Sequence, residues 1–251
     1  MSSGLIVEGV SKRFGGVQAL DGVSLGLEKG EALGLIGPNG SGKTTLLNVI
    51  SGMFRGDSGR VTLNGSDLTS WNADRIAKAG ISRTFQTVRL FRSLSVDDNI
   101  RVAVAQSVAG DVDAEVATLA ARLQLDEWRL TPAATLPYGV QRRVEIARAL
   151  GVRPVFLLLD EPAAGLNEEE SDELLATVSG LLTDPDYGCG VLIIDHDLRL
   201  IMRLCHRIHV LNQGRTIAEG SPDEVRRDAA VLEAYLGAEA EETNDTTEEV
   251  R

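Results

Sequence analysis

Gly37-Pro38-Asn39-Gly40-Ser41-Gly42-Lys43-Thr44 is the stretch that decides the fold, because it fits the phosphate-loop pattern G-x-x-x-x-G-K-[ST]. An apolar run at residues 32–36 precedes it and predicts a buried strand, and residues 44–50 follow it with the pattern of a helix. A glycine-rich loop between a strand and a helix is the context that this motif requires. We therefore expect a nucleotide-binding α/β fold.

The loop offers phosphate ligands of more than one kind. Its glycines let successive backbone N–H groups turn inward, and the helix N-terminus adds a positive dipole end. We expect Lys43 to reach the β- and γ-phosphates and the Thr44 hydroxyl to ligate Mg²⁺. The residues assigned to ATP binding in this segment are Gly37, Pro38, Asn39, Gly40, Ser41, Gly42, Lys43, Thr44 and Thr45.

A second chemical feature lies where a continuous apolar run ends in two acids. Residues 155–159 predict a strand that is buried on both faces, and Asp160 and Glu161 follow it. The carboxyl ends of the strands in an open α/β sheet share one edge, where the phosphate loop also lies. We expect Asp160 to hold Mg²⁺ and Glu161 to orient the water that attacks the γ-phosphate. The structural alternative is a pair of acids that only caps a helix.

Charge and composition narrow the class of protein. The 251 residues carry 25 basic and 37 acidic side chains, a net charge of -12, and only 4% of them are aromatic. This charge has the wrong sign for neutralising many phosphates, and few aromatic rings are available to stack on bases, so we expect no nucleic-acid partner. Residues 238–251 contain six acids and one arginine, and we predict that this tail is disordered and solubilising.

The apolar pattern divides the chain into a β-rich front, a helical insert and an α/β core. Alternation of nearly period two within residues 5–27 predicts short, half-exposed strands. Residues 96–149 are mostly helical in pattern. Ser221 and Glu224 have the spacing of a capping box that opens a final helix. We expect one domain over residues 1–237, in which about residues 88–152 form the insert.

Four residues with reactive side chains are predicted to be structural. Cys189 and Cys205 lack the spacing of metal ligands and are expected to be small buried hydrophobes. His206 and His209 belong to no motif. No apolar run approaches the roughly 18 residues that a membrane span needs, and no signal peptide opens the chain, so we expect a cytosolic protein.

Three further segments complete a specific order of motifs. Thr84-Phe85-Gln86 follows the phosphate loop, residues 136–143 (LPYGVQRR) precede the acidic strand, and residues 193–197 (IIDHD) end the next strand. In this order the motifs resemble the nucleotide-binding subunit of an ATP-binding-cassette (ABC) transporter, over about residues 5–236. Three stretches resemble the ATP-binding subunits of bacterial branched-chain amino-acid importers, particularly the first of their two different ATPases: RTFQ with RLFR within residues 83–92, RRVEIAR at 142–148, and DEPAAGLN at 160–167.

The resemblance implies a phosphate-loop NTPase core of the RecA type with an N-terminal antiparallel β subdomain and a helical insert that bears the signature. It implies ATP hydrolysis that energises an importer, with Mg²⁺ as cofactor, at the cytoplasmic face of the cell membrane. The implied partners are a second, different ABC ATPase subunit, membrane permease subunits and a periplasmic or extracellular solute-binding protein. Urea, short amides or lipids are alternative cargoes. A soluble ATP switch that acts on ribosomes or DNA is the alternative class.

The resemblance also implies roles for single residues. Gln86 would contact Mg²⁺ and the attacking water, and His196 would hold the γ-phosphate and the water, so that both join Glu161 in the catalytic set. Phe14 would stack on adenine, and a core Phe at a strand edge is the alternative. The surface around residues 86–100 would dock a membrane subunit. The implied metal ligands are Thr44, Gln86 and Asp160.

The signature departs from the family's usual Leu-Ser-Gly-Gly-Gln. Pro137 has neither a hydroxyl nor a backbone N–H, and Val140 replaces an amide side chain. Asn167 stands where the family's communication loop usually ends in Asp. Two interpretations stay open: one composite site turns over slowly, or the N–H of Gly139 and a helix N-terminus near Val140 suffice. The residues implied to contact the ATP of the partner subunit are Leu136, Pro137, Tyr138, Gly139 and Val140.

Overall fold

The computed structural model describes residues 4–107 and 109–236, and the predicted acidic tail, residues 238–251, lies outside them. The strands are β1 (Leu5–Phe14), β2 (Val17–Leu27), β3 (Ala32–Ile36), β4 (Ser58–Leu63), β5 (Ser66–Asp67), β6 (Ile81–Arg83), β7 (Phe156–Asp160), β8 (Gly190–Ile194), β9 (Arg207–Asn212) and β10 (Arg215–Gly220). The helices are α1 (Lys43–Ile50), α2 (Ala73–Lys78), α3 (Val96–Val104), α4 (Val112–Arg122), α5 (Tyr138–Leu150), α6 (Glu168–Thr183), α7 (Leu198–Leu204) and α8 (Pro222–Arg227); residues 229–236 are also helical.

Strands buried on both faces build two hydrophobic cores. In β3 the first and last residues belong to one core, whereas Leu33 and Leu35 belong to the other. β7 and β8 alternate in the same way, and all five residues of each strand are buried. This arrangement explains why these strands are continuous apolar runs in the sequence, since neither face of the sheet meets water.

The central sheet has the strand order β10-β9-β3-β8-β7-β6. All neighbours from β9 to β6 are parallel, and β10 pairs antiparallel with β9 at the edge. β6 is a three-residue strand that the sequence pattern did not predict. It pairs with β7 through the register Ile81 to Phe156. This short strand determines where the segment that contains Gln86 leaves the sheet.

A second sheet, with the order β2-β1-β4-β5, is entirely antiparallel. β1 and β2 contain 10 and 11 residues, so the expectation of short strands in this region was wrong. Register shifts along their pairing let the long ribbon bend, which explains how it stays paired over its whole length. Together, the antiparallel sheet, the parallel core and the helices confirm the predicted fold class.

Helices α3, α4 and α5 form the helical region that the sequence predicts between β6 and β7. Ser95 caps α3 and Asp111 caps α4, because each side chain accepts a backbone N–H of the first turn. The three helices pack on one another through residues of one hydrophobic core, including Ile100, Leu119 and Val144. No helix among the described residues has the length and apolarity that crossing a membrane requires.

The residues predicted to be structural occupy structural positions. Cys189 and Cys205 are buried free thiols, and burial raises the pKa of the Cys205 thiol to about 12. His206 accepts the backbone N–H of Ala32 at Nδ1, at 3.0 Å. His209 is fully buried between Glu219 and Thr216, and burial lowers its pKa. The capping box that opens α8 is present as the sequence predicts.

Candidate active site

Four parallel strands deliver the predicted site residues to one edge of the sheet. The phosphate loop follows β3, Gln86 follows β6, Asp160 and Glu161 stand at the end of β7, and His196 follows β8. Because parallel strands present all their carboxyl ends on the same side, segments distant in sequence meet there. The order of strands, more than any single residue, assembles this site.

The phosphate loop has a backbone that only glycine fits at two positions. Gly37 has φ of 149°, and a Cβ there would lie 2.0 Å from the carbonyl oxygen of Leu211. Gly42 has φ of 107°, and a Cβ added at this position would lie 2.5 Å from the carbonyl oxygen of Ala19. The loop is therefore pressed between the β9–β10 hairpin and β2, and this contact fixes its curvature.

Helix α1 begins directly after the loop, at Lys43, with Gly42 as its N-cap residue. No side chain among the described residues caps its N-terminus. The amides of its first turn are therefore available to an anionic ligand, as in other phosphate-binding helices.

Lys43 is 7% exposed, and its ammonium group donates to the carbonyl oxygens of Gly37 and Pro38 at 2.8 and 2.9 Å. Burial lowers its pKa, and the negative charges of Glu161 and Asp160 oppose that shift. The lysine thus joins the phosphate loop electrostatically to the acidic end of β7.

Asp160 is almost completely buried and forms an ion pair with Arg83, whose Nη2 lies 2.6 Å from Oδ2. Arg83 also donates from Nη1 to Oδ1 of Asn48 and to Oγ of Ser51, at 2.6 and 3.1 Å. One guanidinium therefore connects the end of β6, the end of β7 and the last turn of α1. Arg83 belongs to a stretch that carries the family resemblance, but the resemblance implies no role for it.

Glu161 stands between the other two residues of the predicted catalytic set. Gln86 donates from Nε2 to Oε2 of Glu161 at 2.7 Å, and His196 lies with Nε2 2.9 Å from Oε1. Glu161 has a positive φ of 48°, a conformation that non-glycine residues rarely adopt and that is common at functional sites. Its side chain is 13% exposed, whereas that of His196 is 57% exposed. The structure thus brings all three residues together.

The donor set suits a hard divalent cation. Thr44, Gln86 and Asp160 would offer hydroxyl, amide and carboxylate oxygens, the ligands that Mg²⁺ prefers when substrate phosphates complete its shell. The ion pair with Arg83 engages Oδ2 of Asp160. Oδ1 is then the oxygen of this carboxylate that would face a cation or its water.

Phe14 lies at the end of β1 on the antiparallel sheet and is 46% exposed. Its ring meets Phe54 edge to face at 5.3 Å between centroids, and the ammonium of Lys12 lies 5.5 Å from its centroid. This position differs from a buried core Phe, which was the structural alternative. The exposed ring remains available for stacking.

The signature segment lies at the N-terminus of α5, which begins at Tyr138 rather than near Val140. Leu136 and Val140 are 5% and 6% exposed and pack in the core. Pro137 and Tyr138 are exposed, and Gly139 packs closely against the carboxylate of Glu170. Of the five predicted signature residues, Pro137 and Tyr138 therefore have exposed side chains.

Asn167 has a local structural role. Its Oδ1 accepts the N–H of Glu170 at 2.9 Å, and Glu170 accepts the N–H of Asn167 in return, a capping box that opens α6. Asp can serve at this N-cap as well as Asn, so the departure from the family pattern leaves the start of α6 intact.

Two acids for which the sequence motifs imply no role, Asp195 and Glu145, support this edge of the sheet. Asp195 accepts the backbone N–H of Ala163 at 2.9 Å, and burial raises its pKa. Glu145 on α5 is 2% exposed and accepts the backbone N–H of Arg89. Glu145 belongs to the RRVEIAR stretch of the family resemblance, and its (i, i+3) spacing from Arg142 is that of a helical ion pair.

Known proteins match this chain over most of its length. Residues 20–164 match the family model described as ABC transporter, and residues 215–241 match the model described as Branched-chain amino acid ATP-binding cassette transporter. A solved ATP-binding cassette of an ABC transporter, in its ADP conformation, is 31% identical with a TM-score of 0.84, and the match covers 94% of this chain and 100% of that one. A nucleotide-free cassette is 30% identical with a TM-score of 0.83, over 93% and 99% of the two chains.

Curated relatives are more similar in sequence. The high-affinity branched-chain amino acid transport ATP-binding protein LivG of Salmonella typhimurium is 41% identical over 93% of this chain and 97% of its own length. LivG of Escherichia coli K12 is 40% identical and BraF of Pseudomonas aeruginosa 38% identical, with the same coverage of 93% and 97%.

The fold and the comparisons together define an ATP-binding cassette, that is, an ATPase that couples the hydrolysis of ATP to transport. The chain belongs to the ABC transporter family. The predicted family, fold class and ATPase activity are thus confirmed.

Replacing Lys43 by Ala tests the phosphate loop. The substitution removes the buried ammonium beside Glu161 and Asp160, so we expect the dissociation constant for a fluorescent ATP analogue to rise at least about tenfold. Lys78→Ala, at a lysine that is 72% exposed, is the matched control and should bind like the wild type. Unchanged binding by Lys43→Ala would contradict this role.

Proposed function

We propose that this chain binds and hydrolyses ATP as an energising subunit of an importer for branched-chain amino acids. The observation that carries the chemistry is the carboxylate of Glu161 held between Gln86 and His196. The cargo rests on the match of residues 215–241 and on the relatives whose names specify branched-chain amino acid transport.

The phosphate loop would bind the nucleotide through backbone amides of residues 37–45, the first turn of α1 and the ammonium of Lys43. Bound Mg²⁺ would neutralise charge on the β- and γ-phosphates, with Thr44, Gln86 and Asp160 as its protein ligands. The exposed ring of Phe14 would stack on the adenine base.

Hydrolysis requires a water aligned with the γ-phosphate and a group to accept its proton. Glu161 is the proposed base, since its carboxylate is positioned on both oxygens by neighbouring side chains. Gln86 and His196 would then orient this carboxylate and the water, and His196, which is exposed, would also contact the γ-phosphate. Each of these three proposed roles is compatible with the position of the side chain at the carboxyl ends of the strands.

A second ABC ATPase subunit would complete the site. Tyr138 is exposed at the start of α5, and the first-turn amides of α5 point away from their own helix. In the proposed dimer this end of α5 would face ATP on the partner's phosphate loop. Because Pro137 donates no hydrogen bond, donors from the α5 N-terminus, including the amides of Tyr138 and Gly139, would make this contact.

The permease subunits would dock on a groove between the parallel core and the helical region. The groove encloses about 550 Å³, and its lining includes Phe85, Arg89, Phe91 and Arg148. The guanidinium of Arg89 lies 4.1 Å from the centroid of the Phe85 ring, and that of Arg148 lies 5.5 Å from the centroid of the Phe91 ring, which is 48% exposed. An amphipathic segment with acidic residues would complement this mixture of rings and cations. Such docking would place the chain at the cytoplasmic face of the membrane.

Glu161→Gln tests the catalytic carboxylate. The amide keeps the size of the side chain and removes its basicity, so kcat should fall at least about a hundredfold while the affinity for ATP stays within about twofold. Glu168→Gln, at a carboxylate that is 87% exposed, is the control for the loss of one negative charge. A Glu161→Gln variant that hydrolyses ATP at the wild-type rate would exclude Glu161 as the base.

The cargo is tested in a complex reconstituted in liposomes with its permeases and solute-binding protein. Leucine, isoleucine and valine should stimulate the ATPase rate severalfold, whereas urea and acetamide should leave it at the basal level. Stimulation by urea or acetamide without stimulation by leucine would assign the same ATPase to another transporter.

Phe91→Ser tests the docking groove, because it removes an exposed ring from the groove without disturbing the core. We expect the variant to bind a fluorescent ATP analogue like the wild type and to copurify with the permease subunits in at least about tenfold lower yield. Leu130→Ser, at an apolar residue that is 85% exposed and does not line the groove, is the control. Equal recovery of the two variants would place the permease elsewhere.

A further inference from the structure

Arg142 is a buried cation on the helix that bears the signature. Its side chain is 2% exposed and faces the backbone of the segment after β6. Nη1 donates to the carbonyl oxygen of Phe85 at 2.7 Å, and Nη2 donates to the carbonyl oxygen of Gln86. Nη2 also lies 3.3 Å from the carbonyl oxygen of Glu161. One guanidinium therefore binds the main chain of two residues of the proposed catalytic set.

Glu145 lies one helical turn further along α5 and is equally buried. It forms an ion pair with Arg142 at 3.1 Å and accepts the backbone N–H of Arg89 at 3.3 Å. Burial raises the pKa of Glu145, and the charge of Arg142 together with the amides of Arg89 and Phe85 opposes that shift. Within residues 85–89, the cation thus binds carbonyl groups and the anion binds amide groups.

Arg142 also contacts the exposed part of the signature. Its guanidinium lies 5.5 Å from the centroid of the Tyr138 ring, one turn earlier on α5. The ring of Tyr138 in turn packs near Gly165, in the loop between β7 and α6. A rigid helix turn therefore separates the surface that would meet the partner's ATP from the cation that holds Gln86 and Glu161.

The Nε atom of Arg142 is buried without a hydrogen-bond partner among the described residues. If Arg142 served only to fill space, an apolar side chain would stabilise the fold as well. A buried ion pair contributes little more to the free energy of unfolding than a hydrophobic replacement of similar volume. What the pair adds is a fixed geometry between α5 and the catalytic segment.

We propose that Arg142 and Glu145 are positioning residues that transmit the position of the signature helix to the catalytic carboxylate, through the backbone of residues 85–89 and Glu161. A shift of α5 on meeting the ATP of the partner subunit would move Gln86 and Glu161 with it. The occupied docking groove, which includes Phe85, Arg89 and Glu145, would act on the same segment from its other side. This inference rests on the proposed function, because it assumes that the signature meets a partner's nucleotide.

The test compares the wild type with four variants, each assembled with the second ATPase subunit and the permease subunits: Arg142→Gln, Arg142→Lys, Glu145→Gln and the double variant Arg142→Gln/Glu145→Gln. We expect kcat for ATP to fall about tenfold to a hundredfold in Arg142→Gln and in the double variant, with the affinity for a fluorescent ATP analogue within about twofold. Arg142→Lys should be intermediate, since an ammonium group keeps the charge and cannot span both carbonyls and Glu145.

Hydrogen exchange at single amides distinguishes a positioning role of the pair from a merely structural one. The backbone amide of Arg89 should exchange at least about tenfold faster in the variants, while amides of β7 and β8 keep their protection. The double variant leaves no unpaired buried charge and keeps the test valid if a single variant fails to fold. Arg143→Gln is the control, since Arg143 neighbours Arg142 but pairs with the partly exposed Glu173.

Wild-type kcat in a folded double variant would overturn the inference. Loss of nucleotide affinity in parallel with kcat would also overturn it, because the pair would then support the fold of the whole site. A wild-type complex without ATPase activity would instead count against the proposed function, so that the two failures are distinguishable.

Discussion

Parallel pairing of β3, β8, β7 and β6 is the constraint on which the rest of the structure depends. The side chains of these strands are shared between two cores, so the sheet cannot slip by one residue without exchanging its faces. With the register fixed, the phosphate loop, the segment of Gln86, the carboxylates at the end of β7 and His196 all emerge at one edge. The catalytic geometry is thus a consequence of strand order and register. The local motifs determine only which chemical groups arrive at that edge.

Local patterns identified the parts of the fold that depend on nearest neighbours in sequence. The apolar runs of β3, β7 and β8 and the capping box of α8 were predictable because burial on both faces and a turn of helix each leave a short, regular pattern. Strand β6 was missed because three residues are too few for a period to show. The contacts of Arg83 and Arg142 were also beyond prediction, since their partners are separated from them by 77 and by up to 57 residues.

The features of the candidate site fall into the same two groups: those that a local motif or resemblance identifies, and those that only the packing of the fold explains. Lys43, Asp160 and Glu161 were recognisable because a motif places each beside a strand end, and Gln86 and His196 because a family resemblance adds their roles. Neither source indicates that an arginine pairs with Asp160, or that Leu136 and Val140 are buried while Tyr138 is exposed. Such facts depend on how helices pack against the sheet, which a single sequence does not encode locally. The net charge of -12 is likewise a poor guide here, because two buried arginines and a buried lysine set the local field.

The contact between the phosphate loop and the β9–β10 hairpin has a consequence for biosynthesis. The N–H of Gly214 donates to the carbonyl oxygen of Ser41, and Asp21 donates to Gly214 in turn, while β9 pairs with β3 directly before the loop. A ribosome releases these residues in order of sequence, so the loop at residues 37–44 emerges long before the hairpin that supports it. A nascent chain that ends before residue 214 lacks these supports. The supported form of the nucleotide site is therefore complete only after the hairpin has been synthesised, and chains that terminate before residue 214 lack it.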